Sequence, residues 1–211
     1  MKIVDLTHEI RENMPVFPGS ECPKFESIGI LEKDGFEEKK ITIYSHTGTH
    51  MDAPKHIIPY GKGLDEFSAD KFLGKGVVVD ARGESSISLD LLIEYEEKIE
   101  KSDFILINTG WDRNWGKENY YNGFPCMTKK AAQWLSSKKI KGLGIDAISV
   151  DPVNSYELVN HNIFLKKEIV IIENLKIPEK LHGKKFLFSA LPLKTENSDG
   201  SPIRAVAILD I

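Results

Sequence analysis

Residues 76–108 read GVVVDARGESSISLDLLIEYEEKIEKSDFILIN, and this stretch decides the fold class. GVVVDA (76–81) is a continuous β-branched run, the mark of a strand buried on both faces. Ser88 is placed to cap a helix that runs to about Glu100. Leu89, Leu92, Ile93, Tyr95 and Ile99 form its apolar stripe, while EYEEKIEK supplies the wet side. Asp103 to Asn108 is a second buried strand. A strand, a helix and a strand of this kind form a parallel crossover unit.

The pattern continues outward in both directions. On the C-terminal side Thr128 caps a helix over Lys129 to Lys138 that buries Ala132, Trp134 and Leu135. A strand over Gly142 to Ala147, a short helix near Tyr156 to Asn160, and strands over Glu168 to Ile172, Phe186 to Ala190 and Ile203 to Leu209 follow. On the N-terminal side Lys2 to Leu6 and Lys40 to Tyr44 read as strands, the second with Ile41 and Ile43 on one face. LEKDGFEEKK (31–40) is a solvated hairpin tip around Asp34 and Gly35. The middle therefore reads βαβαβ. The expected fold is α/β with a mixed sheet, in one domain over residues 1–211.

Composition agrees and narrows the function classes. With 211 residues, the chain matches one domain at about 150 residues per domain. Net charge is −4 with acidic and basic residues interspersed, so no basic stripe for nucleic acid is present. No apolar run approaches the ~20 residues that span a bilayer. MKIVDLTHEIRENM lacks the apolar core of a signal peptide, which leads us to expect a cytoplasmic protein. Cys22 and Cys126 are far apart and are expected to be free thiols.

The chemistry concentrates in HTGTHMDAPKH (46–56). Three of the six histidines fall in these eleven residues, where even scattering over 211 would place about a third of one. Imidazole and carboxylate are the standard nitrogen and oxygen ligands of zinc, manganese and related ions. A helix is disfavoured by Gly48, two threonines and Pro54. On a straight strand His46 and His50 would stand ~13 Å apart, too far to share an ion. A bend at Gly48, which adopts positive φ cheaply, brings them together. His50 and Asp52 lie on one side of an extended segment, ~6.6 Å apart. The expectation is a strand end that bends at Gly48 and gathers His46, His50 and Asp52 onto one metal with a position open for water. His56, beyond Pro54 and out of step with the ligands, suits a general acid or base.

SHTGTHMDAPKHI resembles the HxGTHxDxPxH signature of the cyclase family of metal-dependent hydrolases, which includes kynurenine formamidases (arylformamidases) and isatin hydrolases. DLTHEIRENMPVFPG near the N-terminus, NTGW around Trp111, GIDAISVDPV around Asp146 and Asp151, and DGSPIRAVAI at the C-terminus also resemble family segments, so the likeness spans nearly the whole chain. It implies a compact domain with a partly barrel-like sheet flanked by helices, of the swivelling β/β/α type, assembled as dimers or tetramers. It implies further that His46, His50 and Asp52 bind a first metal, that Asp52 bridges to a second held by His161 and Glu173, and that His56 is the catalytic acid/base. The cofactor is then Zn²⁺ or Mn²⁺, one or two ions per subunit.

The implied reaction is hydrolysis of an amide C–N bond in a small molecule, foremost N-formyl-L-kynurenine to L-kynurenine and formate in tryptophan catabolism. Alternatives are opening of a cyclic amide such as isatin, or a metal-binding relative without catalysis. No GxSxG elbow or HExxH motif is present, which disfavours serine-hydrolase and zincin chemistry. Phe17 and Trp111 fit either an aromatic wall for substrate or core packing. Asp146 and Asp151 fit either a site lining or turn and cap roles, and Arg204 either a strand anchor or a carboxylate partner. His8 and His182 read as structural.

Overall fold

A computed structural model describes residues 1–210. Strand β1 spans Lys2–Asp5, β2 Lys24–Gly29 and β3 Glu38–Thr42, with the short helix α1 (Leu31–Asp34) between the last two. Next come β4 (His50–Asp52), β5 (Leu73–Asp80), α2 (Leu89–Ile93), α3 (Glu96–Ile99), β6 (Phe104–Asn108), α4 (Lys129–Leu135) and β7 (Gly142–Ile145). Helix α5 (Val159–Leu165) and strands β8 (Val170–Glu173), β9 (Phe186–Ser189), β10 (Gly200–Pro202) and β11 (Val206–Leu209) complete the chain. Nine strands form one sheet in the order β1-β11-β9-β5-β6-β7-β8-β4-β10, while β2 and β3 pair with each other alone.

Strands β5 to β8 run parallel, as the crossover pattern required, and the flanking strands pair antiparallel. The sheet is thus mixed, and it is apolar on both faces. Val77, Val79, Ile105, Ile107, Leu143, Ile145 and Ile171 pack under the helices. Val78, Phe104, Leu106, Val170 and Ile172 point the other way, into a second core with Met51, Phe186 and Phe188. Strand β7 presents only Gly142 and Gly144 to that second core. A Cβ on Gly142 would stand 2.8 Å from the Phe104 ring, and one on Gly144 would stand 2.6 Å from Leu175. Glycine there lets the neighbouring strands' large side chains close over β7.

Ser88 and Thr128 cap α2 and α4 as expected, their hydroxyls accepting from the N–H groups of Leu91 and Ala131. The helix after Ser88 is nevertheless broken. At Tyr95 the backbone leaves helical values (φ −105°, ψ 3°), and the Tyr95 hydroxyl accepts from Asp80 N–H. Ile93, expected on the buried stripe, is exposed. The short helix expected near Tyr156 begins instead at Val159, because the Asp151 carboxylate accepts from the N–H groups of Asn160 and His161. Strands β2 and β10 were not expected. Both lack the alternating pattern that marks a half-buried strand.

Candidate metal centre

Strand β4 lies between β8 and β10, with His50 directly opposite Glu173 and Asp52 opposite Gly200. Met51 points into the second core. His50 and Asp52 therefore point to the helix-covered face, which Glu173 shares with Ile171. Helix α5 lies on this face and buries His161, Phe164 and Leu165, spaced as one helical stripe. His46 is brought back by a turn in which Gly48 takes φ +65°. A Cβ there would also press Met14 at 3.2 Å. The bend expected from the sequence is present at the residue expected to supply it.

These elements bring all five expected ligands and His56 together. Asp52 Oδ1 lies 2.7 Å from His46 Nδ1 and 3.2 Å from His50 Nε2. Its other oxygen, Oδ2, faces His161 Nε2 at 3.6 Å, and His161 Nε2 lies 3.4 Å from Glu173 Oε1. Glu173 Oε2 closes the set at 3.5 Å from His50 Nε2. One carboxylate thus presents a different oxygen to each of two groups, His46–His50–Asp52 and Asp52–His161–Glu173. The donor atoms within each lie within 4.8 Å of one another. Ligand atoms sharing a zinc ion at ~2.0–2.1 Å in a tetrahedron stand about 3.3 Å apart. The donor set is therefore close to the separations an ion requires.

The remaining ring nitrogens are tied down. His50 Nδ1–H donates to the Gly48 carbonyl (2.9 Å), and His161 Nδ1–H donates to Asp151 Oδ2 (2.8 Å). Each leaves Nε2 facing Asp52, the outer hydrogen-bond pattern that fixes tautomer and orientation at metal sites. The Gly48 carbonyl also accepts from Asn174 Nδ2, and Asn174 Oδ1 accepts from the Tyr120 hydroxyl. Glu173 Oε1 accepts from Val150 N–H.

The electrostatics of the cluster favour positive charge beside Asp52. Asp52, His50, His161 and Glu173 are all buried. Asp52 Oδ2 is enclosed yet has no hydrogen-bond partner. An unpaired buried carboxylate oxygen is costly. Burial raises the Asp52 pKa, but His50, His161 and His46 around it hold it well below the ordinary range. Conversely, burial opposes the charge on His46, yet hydrogen bonds to Asp52 and Asp199 push it up to about 9. His161 is likewise raised, by Asp151, Asp52 and Glu173, despite burial. The carboxylates demand positive charge, which protons or a divalent ion can supply.

His56 belongs to the same cluster. Its ring centre lies 4.1 Å from that of His46 and 6.1 Å from that of His161. Burial lowers its pKa, so the ring is neutral near pH 7.

The other candidates resolve differently. Phe17 is exposed, and Trp111 is half buried with its indole N–H donating to the Tyr120 carbonyl. Neither is part of the hydrogen-bonded cluster. Asp146 accepts from Thr109 and from the Trp111 backbone, so it anchors the loop after β6. Burial raises its pKa to about 6. Asp151 both caps α5 and orients His161. Arg204 pairs with Asp5 on β1. His182 Nε2 lies 2.7 Å from Asn108 Nδ2, and His8 stacks on Trp115 with ring centres 4.0 Å apart. Cys22 and Cys126 are free.

Asn174 and Asp199, which stands 3.1 Å from His46 Nε2, escaped the sequence reading. Asp199 lies in the DGSPIR segment, but only the pairing of β10 with β4 carries it to His46.

Comparison with known proteins follows the same lines. The family model described as "Putative cyclase" matches residues 4–152. The kynurenine formamidase of Bacillus anthracis is 31% identical over 207 residues, 97% of this chain and 96% of that protein. The kynurenine formamidase of Erythrobacter litoralis is 29% identical, covering 97% of this chain and 93% of its own. A solved isatin hydrolase bound to the product analogue thioisatinate superposes with a TM-score of 0.90 at 25% identity, over 100% of this chain and 93% of that one. A solved potential metal-dependent hydrolase with cyclase activity gives a TM-score of 0.82 at 27% identity, over 98% and 96%. The chain belongs to the cyclase family of metal-dependent hydrolases.

Proposed function

We propose that this chain hydrolyses the C–N bond of an aryl formamide, with N-formyl-L-kynurenine as substrate and L-kynurenine and formate as products, in tryptophan catabolism. The observation that carries this reading is Asp52, whose two oxygens serve two separate imidazole groups beside His56. The nearly full-length likeness to kynurenine formamidases supports the substrate.

In this reading His46, His50 and Asp52 hold one ion, and Asp52, His161 and Glu173 hold a second. Zinc and manganese both suit imidazole and carboxylate donors. The ion, when bound, supplies Lewis-acid activation of water and carbonyl near neutral pH. Asp52 and Glu173 provide the negative charge that retains it. His56, neutral at pH 7, accepts a proton from the attacking water as the new C–O bond forms. It then gives that proton to the anilide nitrogen as the C–N bond breaks, releasing the arylamine and formate.

Opening of isatin is the second reading, favoured by the superposition on an isatin hydrolase. The two separate in one experiment, in which kcat/KM is measured for both substrates with protein reloaded with Zn²⁺ or Mn²⁺. A value above ~10⁴ M⁻¹s⁻¹ for N-formylkynurenine and a far lower one for isatin supports the first reading. The reverse order overturns it.

A cytoplasmic homodimer or tetramer completes the proposal. Among the described residues no helix is long and apolar enough to cross a membrane. The β2–β3 arm exposes Ile28, Leu31, Phe36 and Ile41, a surface suited to burial against a second copy.

A further inference from the structure

Two of the three imidazoles that face Asp52 have a clear holder on their far nitrogen: the Gly48 carbonyl for His50 and Asp151 for His161. His46 is the most exposed of the three, and its far nitrogen meets Asp199. We propose that Asp199 and Gly200 are a positioning pair for His46, Asp199 fixing which ring nitrogen faces Asp52 and Gly200 fixing how close the ring lies. This inference rests on the metal-site reading above.

Three observations carry it. First, Asp199 Oδ2 stands 3.1 Å from His46 Nε2 while His46 Nδ1 stands 2.7 Å from Asp52 Oδ1. A carboxylate accepting from Nε2–H leaves Nδ1 as the nitrogen free to donate its lone pair to an ion. Second, Asp199 is locked to the strand that carries Asp52. The Asp199 carbonyl accepts from Ala53 N–H at 2.9 Å, and its carboxylate accepts from Ser45 Oγ at 3.3 Å. Third, a Cβ on Gly200 would lie 2.5 Å from His46 Cε1 and 2.8 Å from Nε2, so only glycine lets the ring lie flat against β10. Gly200 pairs with Asp52 in the ladder, which sets the height of that contact. His46 is therefore held on its edge and on its face by two adjacent residues from the far end of the chain.

The test is metal affinity, measured by competition with a chromophoric chelator for Zn²⁺ and by the visible spectrum of the Co²⁺-loaded protein. D199A is expected to bind 10- to 100-fold more weakly, with a changed Co²⁺ spectrum and unchanged stoichiometry. D199N, whose amide oxygen still accepts from Nε2–H, is expected to recover much of that loss. G200A is expected to weaken binding and alter the spectrum through displacement of the ring. Should D199A fail to fold, D199L fills the same space without an acceptor and carries the same expectation.

Affinity within twofold of wild type in the acceptor-less variant overturns the proposal. So does a stoichiometry lower by one ion in both D199A and D199N, which would make Asp199 a ligand in a group with His46 and His56. Wild-type protein that binds no Zn²⁺ or Co²⁺ would overturn the metal-site reading together with this one. Tight wild-type binding with an unaffected D199A overturns this one alone.

Discussion

The two halves of the cluster share Asp52 and the same donor types, and differ in exposure. The His161–Glu173 half is closed: both side chains are at least nine-tenths buried, one drawn from a helix and one from a strand. The His46 half opens toward solvent, with His46 at 22% and Asp199 at 46% side-chain exposure, and His56 stands beside it. A closed half with every orienting hydrogen bond made suits the retention of an ion. An open half beside a neutral imidazole suits substrate entry and proton transfer. Under the proposed function any division of labour would follow from exposure, since both halves use the same donor types.

The largest effect should come from the residue the halves share. Asp52→Asn should remove metal from both, and kcat/KM should fall by about 10³–10⁴ or more. Metal analysis beside kinetics checks it, and loss of only one ion would show that the halves are independent. His56→Ala separates chemistry from binding, with an expected loss of 10²–10⁴ in kcat at unchanged metal content. An unaltered rate would remove His56 from the mechanism. Asp151→Ala frees the far nitrogen of His161 and should weaken metal binding about 10- to 100-fold, specifically in the closed half. If instead the affinity of the open half falls, the two halves are coupled through Asp52.

Much of the open half was legible because it is local. HTGTHMDAPKH holds His46, His50, Asp52 and His56 within eleven residues, and one glycine explains how they meet. The closed half required a resemblance, because His161 and Glu173 are joined only through the packing of α5 on β8. Asp199 was illegible for the same reason, since 147 residues separate it from Asp52 (199 − 52) and an antiparallel pairing joins them. The parallel centre of the sheet showed in its uninterrupted apolar runs, whereas its order at the edges did not. Lys40 to Tyr44 read as a strand and β3 covers part of that range, but every residue of β3 is exposed and it pairs only with β2, apart from the large sheet. The helix break at Tyr95 answers a tertiary contact with Asp80 that local propensity does not contain.

Two smaller predictions lie outside the cluster. Phe36→Glu with Ile41→Glu on the β2–β3 arm should shift the assembly toward monomer in sedimentation velocity, leaving metal affinity unchanged. A monomeric wild type would remove the arm's proposed role.

The smallest effect concerns His8, next to the strand that begins the open half. Burial, aided by Lys176, lowers its pKa to about 4. The unfolded chain binds that proton near pH 6.5 and the folded chain only near 4. The neutral ring's contribution is therefore complete above pH 6.5 and is lost as pH falls toward 4. Metal-free His8→Gln should lose up to about 2 kcal/mol less stability than wild type between pH 7.5 and 5, read from urea unfolding. Identical losses would mean that His8 titrates normally.

The most direct test of the central claim is a metal titration of stripped protein, followed by the rate of N-formylkynurenine hydrolysis. The expected result is negligible activity without metal, a rise in proportion to bound Zn²⁺ or Mn²⁺, and no rise in Asp52→Asn. Full activity in the stripped protein, or an equal rise in Asp52→Asn, would contradict the assignment of hydrolysis to this cluster.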